Sequence, residues 1–145
     1  MMYSLNGTDY SADIPTGTAA GDYTIFYKVP DGDNHNEITA KQLTVTIAKA
    51  DQNPLTIIDK PNAPICYNDH FTLSTSGGSG GGGVTWQYSG AATVNSSLGL
   101  VTVIDVGDVT ITATKAGGQN YNDVSAIWTF TAEKQRQPLV RSSLQ

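Results

Sequence analysis

The side chains that could do chemistry are few and far apart. Two histidines, His35 and His70, and one cysteine, Cys66, are the bases and the soft nucleophile that the chain offers. Nucleophilic catalysis needs such a base within reach of a Ser or Cys and oriented by an acid. His70 follows Asp69, but no G-x-S-x-G turn presents a serine to it. The segment Asp31–Glu37, "DGDNHNE", concentrates three carboxylates and two asparagines as a calcium loop does. An EF-hand loop, however, requires Asp or Asn at its fifth position and Gly at its sixth, where His35 and Asn36 stand. The glycine run Ser76–Gly83, "SGGSGGGG", lacks the Lys-Ser/Thr and the helix of a phosphate-binding loop, and reads as a flexible hairpin loop. Cys66, among Pro61, Pro64 and Tyr67, has no companion ligands and reads as a passive buried thiol. Lys28, Lys41, Lys60 and Lys115 carry no local signature of the buried Lys, amide and acid that an internal isopeptide bond needs. The expectation is a chain with no catalytic residues, no metal site and no cofactor.

What organises the chain is a repeat. "NHNEITA", Asn34–Ala40, returns as "NYNDVSA", Asn120–Ala126, 120 − 34 = 86 residues later. Each position keeps its type: Asn, ring, Asn, acid, β-branched, hydroxyl, Ala. Gly21-Asp22-Tyr23-Thr24-Ile25 returns at the same offset as Gly107-Asp108-Val109-Thr110-Ile111. Both runs alternate. Tyr23, Ile25 and Tyr27 face one way, as do Val109, Ile111 and Ala113, with Thr110, Thr112 and Thr114 opposite. Period-2 alternation marks a strand with one buried and one wet face. Asn tolerates left-handed backbone and caps its own turn, so the motif reads as the loop into the next strand. Beyond it the offset drops to 128 − 43 = 85, with Leu43, Val45 and Ile47 answering to Trp128, Phe130 and Ala132. A one-residue slip turns the apolar face outward unless a bulge absorbs it, so a bulge is expected near Lys41 or Gln42.

From Asp51 onward seven short strands are expected, near Leu55–Ile58, Phe71–Ser74, Val84–Tyr88, Ala92–Val94, Leu100–Ile104, Val109–Thr114 and Val124–Thr131. Pro and Gly turn signals separate them, and no helix is foreseen. A period of 86 is too long for a solenoid unit and suits a small sandwich. The fold class expected is all-β, an immunoglobulin-like antiparallel β-sandwich in two tandem modules. Residues 51–134 form a complete module, residues 1–50 a module lacking its N-terminal strands, and residues 135–145 a tail. "MYSLNG" aligns with "QYSGAA", Tyr3-Ser4 against Tyr88-Ser89, which leaves the first copy short of two strands, about 30 residues by the offset of the repeat. An apolar face left open is a liability. Candidates to cover it are a strand at Pro138-Leu139-Val140, the neighbouring module, or a second molecule by strand exchange.

Composition narrows the function classes. A net charge of −5, with eight basic residues scattered, argues against a nucleic-acid footprint. No apolar run is long enough to insert in a membrane. A single cysteine forbids an internal disulfide, so stability must come from the core. "MMYSLNG" has neither the basic start nor the apolar stretch of a signal peptide, and no anchor closes the C-terminus, which suggests a fragment of something larger.

The stretch "YSLNGTDYSADIPTGTAAGDYTIFYKV…GDNHNEITAKQLTVTIAKA" resembles the tandem bacterial immunoglobulin-like repeats (Big/MBG-type) of cell-surface and secreted proteins. "FTLSTSGGSG…VTW…LGLVTV…GDVTITATKAGGQNYND" is similar to a neighbouring type in that group, and together they cover residues 3–134. The resemblance implies an extracellular or cell-surface location and a non-enzymatic role as stalk, spacer or adhesive arm, with further modules of the parent chain as neighbours. Some modules of this kind bind sugars or host proteins, so the alternative is a carbohydrate- or host-protein-binding module.

Six side chains are singled out. Trp86, Trp128 and Tyr23 are expected to be structural: Trp86 as the tryptophan such sandwiches bury, and Tyr23 as a tyrosine corner bonded back to backbone. Phe26 takes the place of Thr112 on the wet face, and with Tyr88 and Tyr121 it is a candidate binding surface.

Overall fold

The computed structural model describes residues 1–138 and is built from strands alone; among the described residues there is no helix. The expected strand at Pro138-Leu139-Val140 lies outside the described residues beyond Pro138. Contacts divide the chain into two compact units, Met1–Ala50 with Gln119–Tyr121, and Asp51–Gly118 with the chain from Asn122 onward.

The second unit contains β4 (Leu55–Ile58), β5 (His70–Thr72), β6 (Ser74–Gly77), β7 (Val84–Gly90), β8 (Ala92–Val94), β9 (Leu100–Val103), β10 (Gly107–Lys115) and β11 (Val124–Ala132). β5 and β6 are one run interrupted at Leu73, so the seven expected strands are present, each within about two residues of its expected bounds except at the C-terminal end of that run. β10 pairs with β7 on one side and β11 on the other, all antiparallel. β6 pairs with β4, and β5 with β9, which in turn pairs with β8. Alternation decides what each sheet hides. Val109, Ile111 and Ala113 of β10 are buried and the threonines between them are not. Their burial is shared with Leu55, Ile57, Leu73, Val101 and Val103 in one apolar cluster. Trp86 of β7 is buried among them, while Trp128 is only partly so, set edge-on to Phe71 and tilted on Phe130 at 4.6 Å between centroids. Gly99 runs against the indole; a Cβ there would lie 3.0 Å from Trp86 Cε2, and its φ of +69° is one that glycine adopts without strain.

The first unit has three strands, β1 (Met2–Ser4), β2 (Gly21–Val29) and β3 (Ile38–Ile47), in the order β1-β2-β3. β2 and β3 pair in the register of β10 and β11. Tyr23 faces Val45 and Ile25 faces Leu43, as Val109 faces Phe130 and Ile111 faces Trp128. The expected bulge is present just ahead of Lys41. Pairing jumps from Tyr27↔Lys41 to Val29↔Ile38, two residues on β2 against three on β3, so the extra residue falls at Thr39–Ala40.

Two expectations need correction. Tyr3 pairs with Tyr27, the counterpart of Ala113, and Ala113 pairs with Trp86; Tyr3 therefore stands in the place of Trp86, not of Tyr88. The backbone agrees, since Tyr3 N–H donates to Ser11 O at 2.7 Å as Trp86 N–H donates to Ser96 O at 2.9 Å. The Tyr-Ser identity in the sequence was a local coincidence that strand pairing overrides. Furthermore, Leu5–Ala20, which follows β1, contains no strand, whereas the connection after β7 forms β8 and β9. The reason is visible in the second unit: β9 forms its ladder with β5, and without a strand of that kind the connecting chain has no edge to pair with.

Burial follows from this difference. Ile111 is 0% exposed, whereas Leu43 is 55% exposed although it lies on the apolar face of its sheet. Ile111→Ala is therefore expected to cost about 2–5 kcal/mol in chemical denaturation, and Leu43→Ala about 0.5 kcal/mol or less.

Candidate functional site

The polar side chains that converge do so on backbone. Gln52 is the clearest case: its Nε2 donates to Lys115 O at 3.0 Å and Asn122 O at 2.9 Å, while its Oε1 accepts from Gly80 N–H at 2.8 Å. One amide thus ties the chain entering the second unit to the glycine loop and to both ends of the β10–β11 connection. Ser79 Oγ adds a bond from Asn53 N–H at 3.1 Å. The glycine run, expected to be a flexible loop, is held at Gly80 and Gly82 against Ala116 and Gly117, while Gly81 and Gly83 are exposed. A Cβ on Gly80 would lie 2.8 Å from Gly117 Cα, so glycine there permits a close backbone approach.

Two cross-strand hydrogen bonds recur at matching register. Thr46 Oγ1 donates to Asp22 Oδ1 at 2.6 Å, and Thr131 Oγ1 to Asp108 Oδ1 at 2.7 Å. Tyr23 donates its phenol O–H to Ala19 O at 2.8 Å, four residues upstream, the tyrosine-corner geometry expected of it. The only buried polar or charged residue among those described, Ser4, is fully used: Oγ donates to Asn6 Oδ1 and accepts from Asn6 and Gly7 N–H.

The candidate surface residues are not alike. Phe26 is half-buried, its ring 3.5 Å from where a Gly7 Cβ would stand, so the fold of its own unit covers it in part. Tyr121 is half-buried and belongs with the first unit, where the neighbouring Asn120 accepts Ala20 N–H through Oδ1 and Ala50 N–H through O. Tyr88, in the second unit, pairs with Ile111 on the core side of β7 yet remains 51% exposed, because β7 is the edge of its sheet.

The reactive side chains stay apart. His70 is exposed, with Nδ1 3.2 Å from Thr102 Oγ1 on the facing strand. His35 lies over Gly32, closing a tight turn through paired Gly32–His35 backbone bonds. Cys66 is half-exposed rather than buried, held by a bond from its own N–H to Asp69 Oδ2 at 2.7 Å, and its Sγ meets only Pro64 O at 3.9 Å. Among the described residues no three His, Cys, Asp or Glu side chains are grouped to hold a metal ion. None of the four lysines is buried: Lys28 Nζ sits 4.4 Å from the Tyr10 ring centroid, Lys60 Nζ 5.7 Å from that of Trp128, and Lys115 Nζ 3.5 Å from Gly77 O. No helix among the described residues is long and apolar enough to cross a membrane. No protein-family model matches the sequence, and no curated protein matches it.

The convergence on Gln52 escaped the sequence reading, since a glutamine in a connecting segment has no pattern around it. Gln52→Ala removes one acceptor and two donors and is expected to cost about 1–3 kcal/mol, seen as a lowered thermal midpoint and faster amide exchange at Gly80. Tyr23→Phe deletes a single neutral hydrogen bond and should cost about 0.5–1.5 kcal/mol, read by urea titration of the same chain.

Proposed function

We propose that this chain is part of a non-enzymatic structural or adhesion protein, built from bacterial immunoglobulin-like modules and acting outside the cell as a stalk or spacer. The pairing pattern supports the module type. In an immunoglobulin sandwich of the constant type, strands A, B, E and D form one sheet and C, F and G the other. The second unit pairs β4 with β6, β5 with β9 and β9 with β8, against β7-β10-β11, which is that order when β5 and β6 count as strand B. The first unit, with its matching registers, recurrent Asp–Thr bond and tyrosine corner, is then the C, F and G portion of a second module.

One observation carries the mechanical reading. Ile65–Tyr67, near the start of the second unit, runs parallel to the chain at Glu133, near its end. Glu133 N–H donates to Ile65 O and Tyr67 N–H to Glu133 O, each at 2.8 Å. Tension on the two ends of this unit drives these parallel segments past one another, so both bonds are loaded together in shear rather than opened in turn. A module that must transmit force benefits from that placement.

Pulling the chain by its ends in a single-molecule experiment is expected to give a distinct force peak for the second unit. Glu133→Pro, which removes the N–H donated to Ile65, should lower that peak, and Thr129→Ala on the exposed side of β11 should leave it in place. Absence of the peak, or indifference to Glu133→Pro, refutes the spacer role. The exposed Tyr88 favours the alternative, a carbohydrate- or host-protein-binding module, since sugars stack on such rings. Reproducible glycan-array binding that disappears in Tyr88→Ala would establish that reading over the first.

A further inference from the structure

The apolar face of the first unit is only partly covered by the described residues. Tyr3, Tyr23 and Ile25 occupy the register positions of Trp86, Val109 and Ile111, which are all buried in the second unit. Not one of the three is buried, and on β3 the neighbours Leu43 and Val45 are 55% and 40% exposed. The opposite face of the same strands carries Thr24, Thr44 and Thr46, so the sheet does have a side made for water. Leu5, Pro15 and Gly17 lie along part of the apolar side and leave a depression of about 80 Å³ between them and Tyr23, Ile25, Val45 and Ile47. Contiguous apolar surface of this kind marks an interaction site.

The second unit shows what chemistry fits. There the same register positions meet β4 and the β5–β6 run, whose Leu55, Ile57 and Leu73 point inward at alternate places. We propose that the open face of the first unit is a docking surface for a β-segment of that chemistry: two antiparallel strands with aliphatic or aromatic residues at every second position. The inference rests on the reading of the first unit as the C, F and G portion of a module. The occupant is specified further by Leu5–Ala20, which forms no strand of its own. In the second unit the corresponding connection forms β8 and β9, and β9 pairs with β5. An occupant that brings a β5-like edge gives Leu5–Ala20 a ladder to join, so docking completes a sheet as well as covering one. A segment that only lay on the face would leave that connection unpaired.

The test uses the full chain and a synthetic peptide of residues 51–77 carrying Cys66→Ser, with amide exchange read by mass spectrometry. Binding is expected to saturate, to slow exchange about tenfold in Tyr23–Tyr27, Leu43–Ile47 and Leu5–Ala20, and to displace a dye bound to exposed apolar surface. Val45→Lys, at a side chain already 40% exposed, should abolish binding with exchange in β10 unchanged. In a second arm, residues 51–83 are joined directly ahead of Met1, the register that sets Tyr3 in the place of Trp86, so that a weakly associating peptide does not decide the matter. Protection of Leu5–Ala20 in either arm supports the proposal. It is overturned if neither arm protects that segment, or if the free chain sediments as a dimer with Leu43–Ile47 already protected, which would make a second copy the occupant. The force peak of the second unit is measured without any of this, so failure of the spacer role and failure of the docking surface are separable.

Discussion

A pleated strand that alternates between water-facing and apolar side chains must have its apolar face covered, and the rest of this structure depends on whether that condition is met. Full burial of one Ile, Leu or Phe side chain is worth about 1.5–3 kcal/mol. In the second unit, Ile111 and Val109 of the three-stranded layer and Leu73 and Val101 of the opposing strands satisfy each other. In the first unit, the same three-stranded arrangement keeps its register and its hydrogen bonds, yet Leu43 and Val45 remain open. Backbone pairing and burial are therefore separable within one chain. The closing hairpin is set by local pattern and turn chemistry, whereas its stability depends on a partner layer that sequence-adjacent residues do not supply.

That separation accounts for how much was legible beforehand. Period-2 runs such as Val109–Thr114 and Val124–Thr131 announce their faces residue by residue, and the observed strands follow them closely. The tyrosine corner at Tyr23 was legible for the same reason, because a Gly-Asp-Tyr ahead of an alternating run fixes both the strand start and the direction of the ring. Where the reading failed, the deciding partner was distant. Tyr3 was aligned by its neighbour Ser4, but its place is set by Tyr27 across the ladder. Leu5–Ala20 was not foreseen to be strandless, because whether it forms strands depends on an edge elsewhere. The glycine loop looked free because nothing near it in sequence shows that Gln52 and Gly117 hold it.

The site-like features behave in the same way. Four aspartates of the two units are engaged with backbone and hydroxyl groups. Asp22 and Asp108 accept from threonines across the ladder, Asp69 from the Cys66 N–H, and Asp123 from the Gly117 N–H. Each of these bonds closes a turn or pins a strand pair. In the second unit Gln52 bonds the β10–β11 connection, and Ile65 and Tyr67 bond the chain at Glu133.

The bulge in β3 ties these themes together. From Ile38, which shares a face with Val29, plain alternation would place Ala40, Gln42, Thr44 and Thr46 on the apolar side. The extra residue at Thr39–Ala40 moves that side onto Leu43, Val45 and Ile47, in line with Tyr23 and Ile25. β11 reaches the equivalent arrangement, Trp128 and Phe130 opposite Ile111 and Val109, with no irregularity. A sheet meant to stand in water on both faces gains nothing from such a correction, since either register would serve. The bulge keeps five apolar side chains of β2 and β3 together on a face that the described residues leave largely open. Tyr23 and Ile25 are half-buried, while their pairing partners Leu43 and Val45 on the same face are 55% and 40% exposed.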